Sequence, residues 1–392
     1  MLGNCVFRNP IMKNGKLDKG ALCEALLFFS KAHLVIDMAT LGTMVDAGFL
    51  DDLILMLKAG LLTGNYSPQA PVLHTNNVGG LREHLFTVIK ISGDPGRPNM
   101  RNPELLESQL GRTLKDKGAA RKYYRALADL ISFEDVGDNG VPQMGRQDIC
   151  DPYIAAEAIR LALLSKGIPA NEIKLSRIQT IPLDENKFVI VTDIDFDRLR
   201  PFLPEDDRAG FSQNDLLPII SDARWDIGIA ASQNAALIGN ERNKTITEMM
   251  LQRSLGAKFD SELPRRQIYD LISVATPGVR EVINNGDRTP KDFVRLMEKA
   301  GAFQSWLKEQ NPTADLVQEM LREKTRSDWL DALPIKAVRF ALFTGGGLLA
   351  DMFAPGSSLA TSAADTFLVD RFANRWRPHY FVENHLRGFL EK

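Results

Sequence analysis

The chain has 392 residues, 44% hydrophobic and 25% charged, with 48 Lys plus Arg against 50 Asp plus Glu and a formal net charge of −2. That is the composition of an ordinary globular protein with room for two or three domains, and it lacks the basic excess of a chain held mainly on nucleic acid. The three cysteines, Cys5, Cys23 and Cys150, are widely spaced and form neither a CxxC pair nor a disulfide framework, which predicts reduced thiols and a cytoplasmic location.

MLGNCVFRNPIMKNGKLDKG opens the chain without the apolar stretch of a secretory signal. ALLFF at 25–29 and HLVID at 33–37 predict strands. MATLGTMVDAG and FLDDLILMLKAG predict two short helices; Phe49, Leu53 and Leu57 share one face of the second, and Gly60 ends it. HLFTVIKIS at 84–92 is apolar and β-branched and predicts another strand. Residues 1–95 are therefore expected to form a small mixed α+β domain. GDPGRPNMRNPE at 93–104 is dense in Pro and Gly and predicts a linker.

Residues 96–200 predict a helical segment carrying a β-hairpin. LLESQLGRTLKDKGAARKYYRALADLI has helix formers with one interruption, at Gly118. DPYIAAEAIRLALLSKG at 151–167 predicts a helix capped by Asp151, with Pro152 in its first turn and Gly167 at its end. SRIQTIPL and NKFVIVTDID predict the hairpin, turning at Asp184-Glu185-Asn186. Residues 201–392 read as helices almost throughout. In TPKDFVRLMEKAGAFQSWLKEQNP, Thr289 caps, Pro290 and Asp292 fill the first turn, and Asn311-Pro312 marks the end. FALFTGGGLLADMFAPGSSLATSAADTFLVD at 340–370 predicts a Gly-rich helical hairpin turning at Pro355-Gly356. Its apolar run, Phe340 to Ala350, falls short of the roughly 20 residues of a membrane span. The expected fold class is α+β and mainly helical. It has a small mixed N-terminal domain and a larger helical domain, 201–392, with one β-hairpin before it and the Gly-rich helical hairpin at its C-terminus.

Catalytic signatures are sparse. His33, His74, His84, His379 and His385 form no HxxxH or HExxH pair, there is no GxSxG, and Thr344-Gly345-Gly346-Gly347 lacks the Lys-Ser/Thr of a phosphate loop. VTDIDFD places Asp193, Asp195 and Asp197 two apart at a strand end, where alternate carboxylates on one face would suit a divalent metal and hydrolysis. The competing reading makes them turn and cap residues. Lys115, Lys117, Arg121, Lys122 and Tyr123 form a basic stretch with aromatic neighbours, a contact for anions or nucleic acid if it is not simply a solvated helix face. Trp376, Arg377, Tyr380, Phe381 and Phe389 give the tail the residue types of an interaction surface, unless the tail docks on its own domain.

The expectation is an intracellular protein-binding or assembly component acting in a complex, without catalysis of its own and without a cofactor, working through a protein partner or self-association and with no constitutive membrane span. The alternatives are a metal-dependent hydrolase or nuclease using the acidic strand end, and a membrane-active effector inserting the 340–370 hairpin.

Overall fold

The computed structural model describes residues 2–12, 14–91, 100–174, 178–183, 186–203, 205–208, 211–212, 216–256, 279–301, 303–305 and 385–390. In chain order the strands and helices begin with β1 (Leu2–Arg8), α1 (Lys19–Phe28), β2 (Phe29–Ile36), α2 (Met38–Asp46), α3 (Leu50–Lys58), β3 (Thr63–Tyr66), β4 (Gln69–Val78) and β5 (Leu81–Lys90). Next come α4 (Asn102–Leu114), α5 (Lys117–Ala128), β6 (Ile131–Ser132), α6 (Val141–Cys150), α7 (Pro152–Ser165), β7 (Ile178–Pro182) and β8 (Lys187–Thr192). The rest are α8 (Phe196–Leu199), α9 (Glu205–Arg208), α10 (Pro218–Ser232), β9 (Ala235–Ile238), α11 (Lys244–Gly256), α12 (Val279–Asn284), α13 (Pro290–Lys299) and α14 (Arg387–Leu390).

The strands form two sheets. One is parallel, with strand order β6-β3-β2-β1-β9; the other is antiparallel, β4-β5-β8-β7. Side chains alternate across the parallel sheet, so each central strand feeds two cores. Cys5, Phe7, Leu34, Ile36, Ala236 and Ile238 pack on one side with α1, α2 and α3. Val6, Val35 and Leu237 pack on the other with Ile149 of α6 and Ile220 and Trp225 of α10. That second core continues to Phe86, Phe188 and Ile190 of the antiparallel sheet, so a helical layer lies between the two sheets. Covering on both faces is the usual condition of a parallel sheet.

Several local expectations hold. The strand at HLVID, helices α2, α3 and α7, the strand at 84–90 and the β7–β8 hairpin are all present. Asp151 accepts from Tyr153 N at 2.9 Å, and Gly167 ends α7 at φ +85°. Thr289 and Asp292 form the capping box of α13.

The mainly helical fold class is corrected: nine strands in two sheets occur among the described residues, not a single hairpin added to helices. ALLFF is the clearest local case. Residues 25–28 complete α1, and only Phe29 enters β2. Ala and Leu are strong helix formers, and that preference governs here. The reverse occurs in AALI at 235–238. These residues form β9 because pairing with Asn4, Cys5, Val6 and Phe7 overrides local preference. The break in the basic helical stretch falls at Lys115, with φ 54°, and Asp116, which caps α5 by accepting from Gly118 N at 2.7 Å. The expected helical hairpin at 340–370 and the helix end at Asn311-Pro312 lie outside the described residues.

Candidate functional site

Strands β2, β3 and β6 succeed one another on one side of β1, whereas β9 lies on its other side. The chain thus reverses its direction of travel across the sheet between β1 and β9. In open parallel sheets a crevice opens at the carboxyl ends of the strands at such a point.

Arg8 is the last residue of β1 and lies on the same face as Val6. Its guanidinium is enclosed by three carboxylates: Nε to Asp37 at 2.7 Å, Nη1 to Asp226 at 2.6 Å and Nη2 to Asp222 at 3.2 Å. Asp37 follows β2 and also caps α2, accepting from Thr40 N at 2.7 Å. Asp222 and Asp226 are four apart on α10, which aligns both with Arg8. The guanidinium also lies 6.0 Å from the Trp225 ring centroid. Burial acts against the charge on Arg8, but the carboxylates outweigh it and hold its pKa well above the ordinary value. Burial pushes Asp226 up to about 7 despite the opposing pull of Arg8, and it raises Asp222 as well.

Asp226 is 1% exposed, yet it uses only Oδ1 on Arg8. Among the described residues its Oδ2 accepts no hydrogen bond. A Cβ on Gly239 would stand 3.4 Å from that oxygen, so the missing side chain leaves space in front of it. The space is a cleft of about 60 Å³ lined by Asp18, Asp226, Gly239, Asn240, Glu241, Lys244 and Arg280. It has room for a handful of water-sized groups.

The opposite wall is built by α1 and α12. Asp18 caps α1 by accepting from Ala21 N at 2.9 Å. Arg280 of α12 bridges Asp18 and Glu241, and one turn on, Asn284 Nδ2 donates to Asp18 at 2.7 Å. Asn284 Oδ1 accepts from Gly20 N at 2.9 Å. The two helices touch backbone to backbone here: a Cβ at Gly20 would fall 2.1 Å from the Arg280 carbonyl oxygen. The floor is completed by the amino end of α11, whose Lys244 and Thr247 line the cleft. A helix amino terminus favours negative charge. The site therefore sets a carboxyl whose pKa is raised to about 7 beside a helix amino terminus, in a lining that also carries Asp18 and Glu241 bridged by Arg280.

The residues singled out from sequence lie elsewhere. β8 ends at Thr192, before the acidic run. Asp195 caps α8, accepting from Arg198 N at 3.0 Å, Asp197 pairs with Arg200 at 2.6 Å, and Asp193 is exposed. Among the described residues no group of three or more His, Cys, Asp or Glu is arranged to hold a metal ion. The three carboxylates that do converge meet on the Arg8 guanidinium.

Lys115, Lys117, Arg121 and Lys122 are exposed around the α4–α5 turn. Arg121 stands 3.7 Å from Glu107, Lys122 lies 5.2 Å from the Tyr123 ring, and Tyr123 donates to Asp51 at 3.1 Å. Phe389 is buried on its own fold, edge-on to Phe293 at 6.3 Å, and its carbonyl accepts from Arg288 Nε at 2.7 Å. Trp376, Arg377, Tyr380 and Phe381 lie outside the described residues. No helix among the described residues is long and apolar enough to cross a membrane.

Arg8, Asp18, Asp222, Asp226 and Arg280 were missed from sequence. IISDARWDIGIAAS carried one signal: two Asp four apart inside an apolar helix, a spacing that aligns them on one face. Compared with protein-family models, with curated proteins and with solved structures, the chain matches none.

Proposed function

We propose that the chain is a small-molecule enzyme. Its crevice between β1 and β9 takes a polar substrate bearing hydroxyl or amino groups, and Asp226 acts as general acid–base. The observation that carries this is the Oδ2 of Asp226, which lines the cleft and accepts no hydrogen bond from the described residues, on a buried carboxyl pushed up to about 7. A catalytic acid or base works best with a pKa near the operating pH. A carboxyl strongly perturbed by burial, with a specific charge partner and set in a cleft, is a candidate functional group. In this role Arg8 positions Asp226 through Oδ1, while the amino end of α11, with Lys244, favours negative charge developing on the substrate.

The test uses the full chain and its Asp226→Asn variant. Thermal shifts are measured against a panel of small sugars, amino acids, carboxylic acids and their phosphates. A ligand at a hundred times its Kd stabilises the native state by about 2.7 kcal/mol, so the expected result is a compound class that raises the Tm of the wild type and not of the variant. No shift from any compound, or the same shifts in both proteins, defeats the proposal. The pH dependence gives a second readout. Because burial raises the folded pKa of Asp226 from the ordinary carboxylate value of about 4 to about 7, its contribution to stability is present below about pH 4 and is lost as pH rises towards 7. Asp226→Asn should remove that slope.

A further inference from the structure

Among the described residues the antiparallel sheet packs into a core through one face; on the other, Val189 alone is nearly buried, at 8% exposed. Leu73, Phe86, Phe188 and Ile190 point inward to the core shared with α6 and α10. Alternation then turns Val78 of β4, Leu81 and Ile89 of β5, Val191 of β8 and Ile181 of β7 to the other face. These five are 52%, 61%, 38%, 40% and 41% exposed and make up most of the exposed large hydrophobics among the described residues, so the apolar surface is concentrated rather than scattered. Val78 pairs with Leu81 and Ile181 with Val189. β5 and β8 pair at His84–Phe188 and Leu85–Lys187, and that register continued along the strands sets Leu81 level with Val191. Apolar side chains gathered on one face in this way point to an interaction surface.

We infer that this face joins two copies of the chain, sheet against sheet about a twofold axis. Charge selects that partner. Glu83 and Lys187 are the acidic and basic side chains on the outer register of the four strands, and they lie 3.9 Å apart. One charge of each sign makes the face neutral and self-complementary. A twofold axis can set Glu83 of one copy against Lys187 of the other, so like charges need not meet. Among the described residues the same face has no basic cluster for a phosphate backbone or lipid headgroups. Its size also fits. Four strands about 4.8 Å apart and roughly 17–33 Å long present a footprint on the order of 500 Å². Side-chain relief carries the accessible area towards the roughly 800 Å² per partner of a standard interface. Apposed sheets pack about 10 Å apart.

Sedimentation velocity on the full chain over a range of concentrations tests this. The wild type is expected to be a dimer. Leu81→Glu combined with Val191→Glu should be a monomer with an unchanged circular dichroism spectrum. Glu83→Lys should weaken the dimer about tenfold, or about 1.4 kcal/mol, and adding Lys187→Glu should restore it. That restoration separates a charge-matched self-interface from general stickiness. A wild type that is monomeric at every concentration overturns the inference and leaves the face to residues 306–384 or to another partner. A dimer that survives the Leu81/Val191 double change overturns it too.

Discussion

The two sheets differ in how completely they are covered. The parallel sheet is buried on both faces, by one core containing Phe7 and Leu34 and another containing Val6 and Val35. Its polar chemistry can only collect at the strand ends, where Arg8, Asp37, Asp222 and Asp226 meet. Among the described residues the antiparallel sheet packs on one face, and further apolar residues face the other way. Full coverage concentrates charge at an edge, whereas half coverage leaves a greasy plane. The first arrangement suits a small ligand, the second a flat partner.

The largest effect that would break this contrast is at the charged edge. Arg8→Met leaves three carboxylates crowded with no cation between them. Removing one partner of a buried ion cluster costs about 3–5 kcal/mol, so urea denaturation should show a loss of that size. Combining it with Asp226→Asn should recover part of the loss, because one of the stranded charges is gone. Additive losses would show that the cluster is not coupled as the distances indicate.

Gly20→Ala should cost about 1–3 kcal/mol, the usual range for overpacking. The new methyl group meets the Arg280 carbonyl and pushes α1 from α12. The change should also disturb Asp18 and Arg280 in the cleft while leaving the antiparallel sheet untouched. Amide chemical shifts in β5 and β8 that stay fixed while those near Asp18 move would sharpen the contrast. The smallest effect belongs to the outer plane. Ile181→Ser in a monomeric background should change stability by less than about 0.5 kcal/mol, since exposed substitutions rarely do more. A larger loss in that background would mean the residue is covered within its own chain.

Much of the local structure was legible because its determinants are local. Asp151-Pro152 and Thr289-Pro290 announce their helices through capping chemistry that needs no distant partner. The hairpin at 178–192 is marked by its β-branched strands and a tight turn that includes Asn186 at φ 67°. The strands that were missed owe their existence to distant partners. β1 ends in Arg8, a charged residue held by distant partners: Asp37 after β2, and Asp222, Asp226 and Trp225 of α10. β9 is a four-residue AALI that nothing nearby distinguishes from a helix. The site was hidden for the same reason. Asp18, Asp226 and Arg280 are far apart in the chain and gather only when the sheet assembles. The acidic run at 193–197 was conspicuous because its residues are adjacent, and adjacency reflected a cap and a turn.

The position of β1 has a consequence for synthesis. It is an interior strand of the sheet, but one of its neighbours, β9, lies roughly 230 residues downstream. At translation rates of about 5–20 residues per second, the nascent chain spends on the order of 10–50 s with one edge of its first strand unsatisfied. During that interval the growing polypeptide presents an open hydrogen-bonding edge beside Val6 and Phe7, a natural docking point for a chaperone and a hazard for neighbouring ribosomes on the same message.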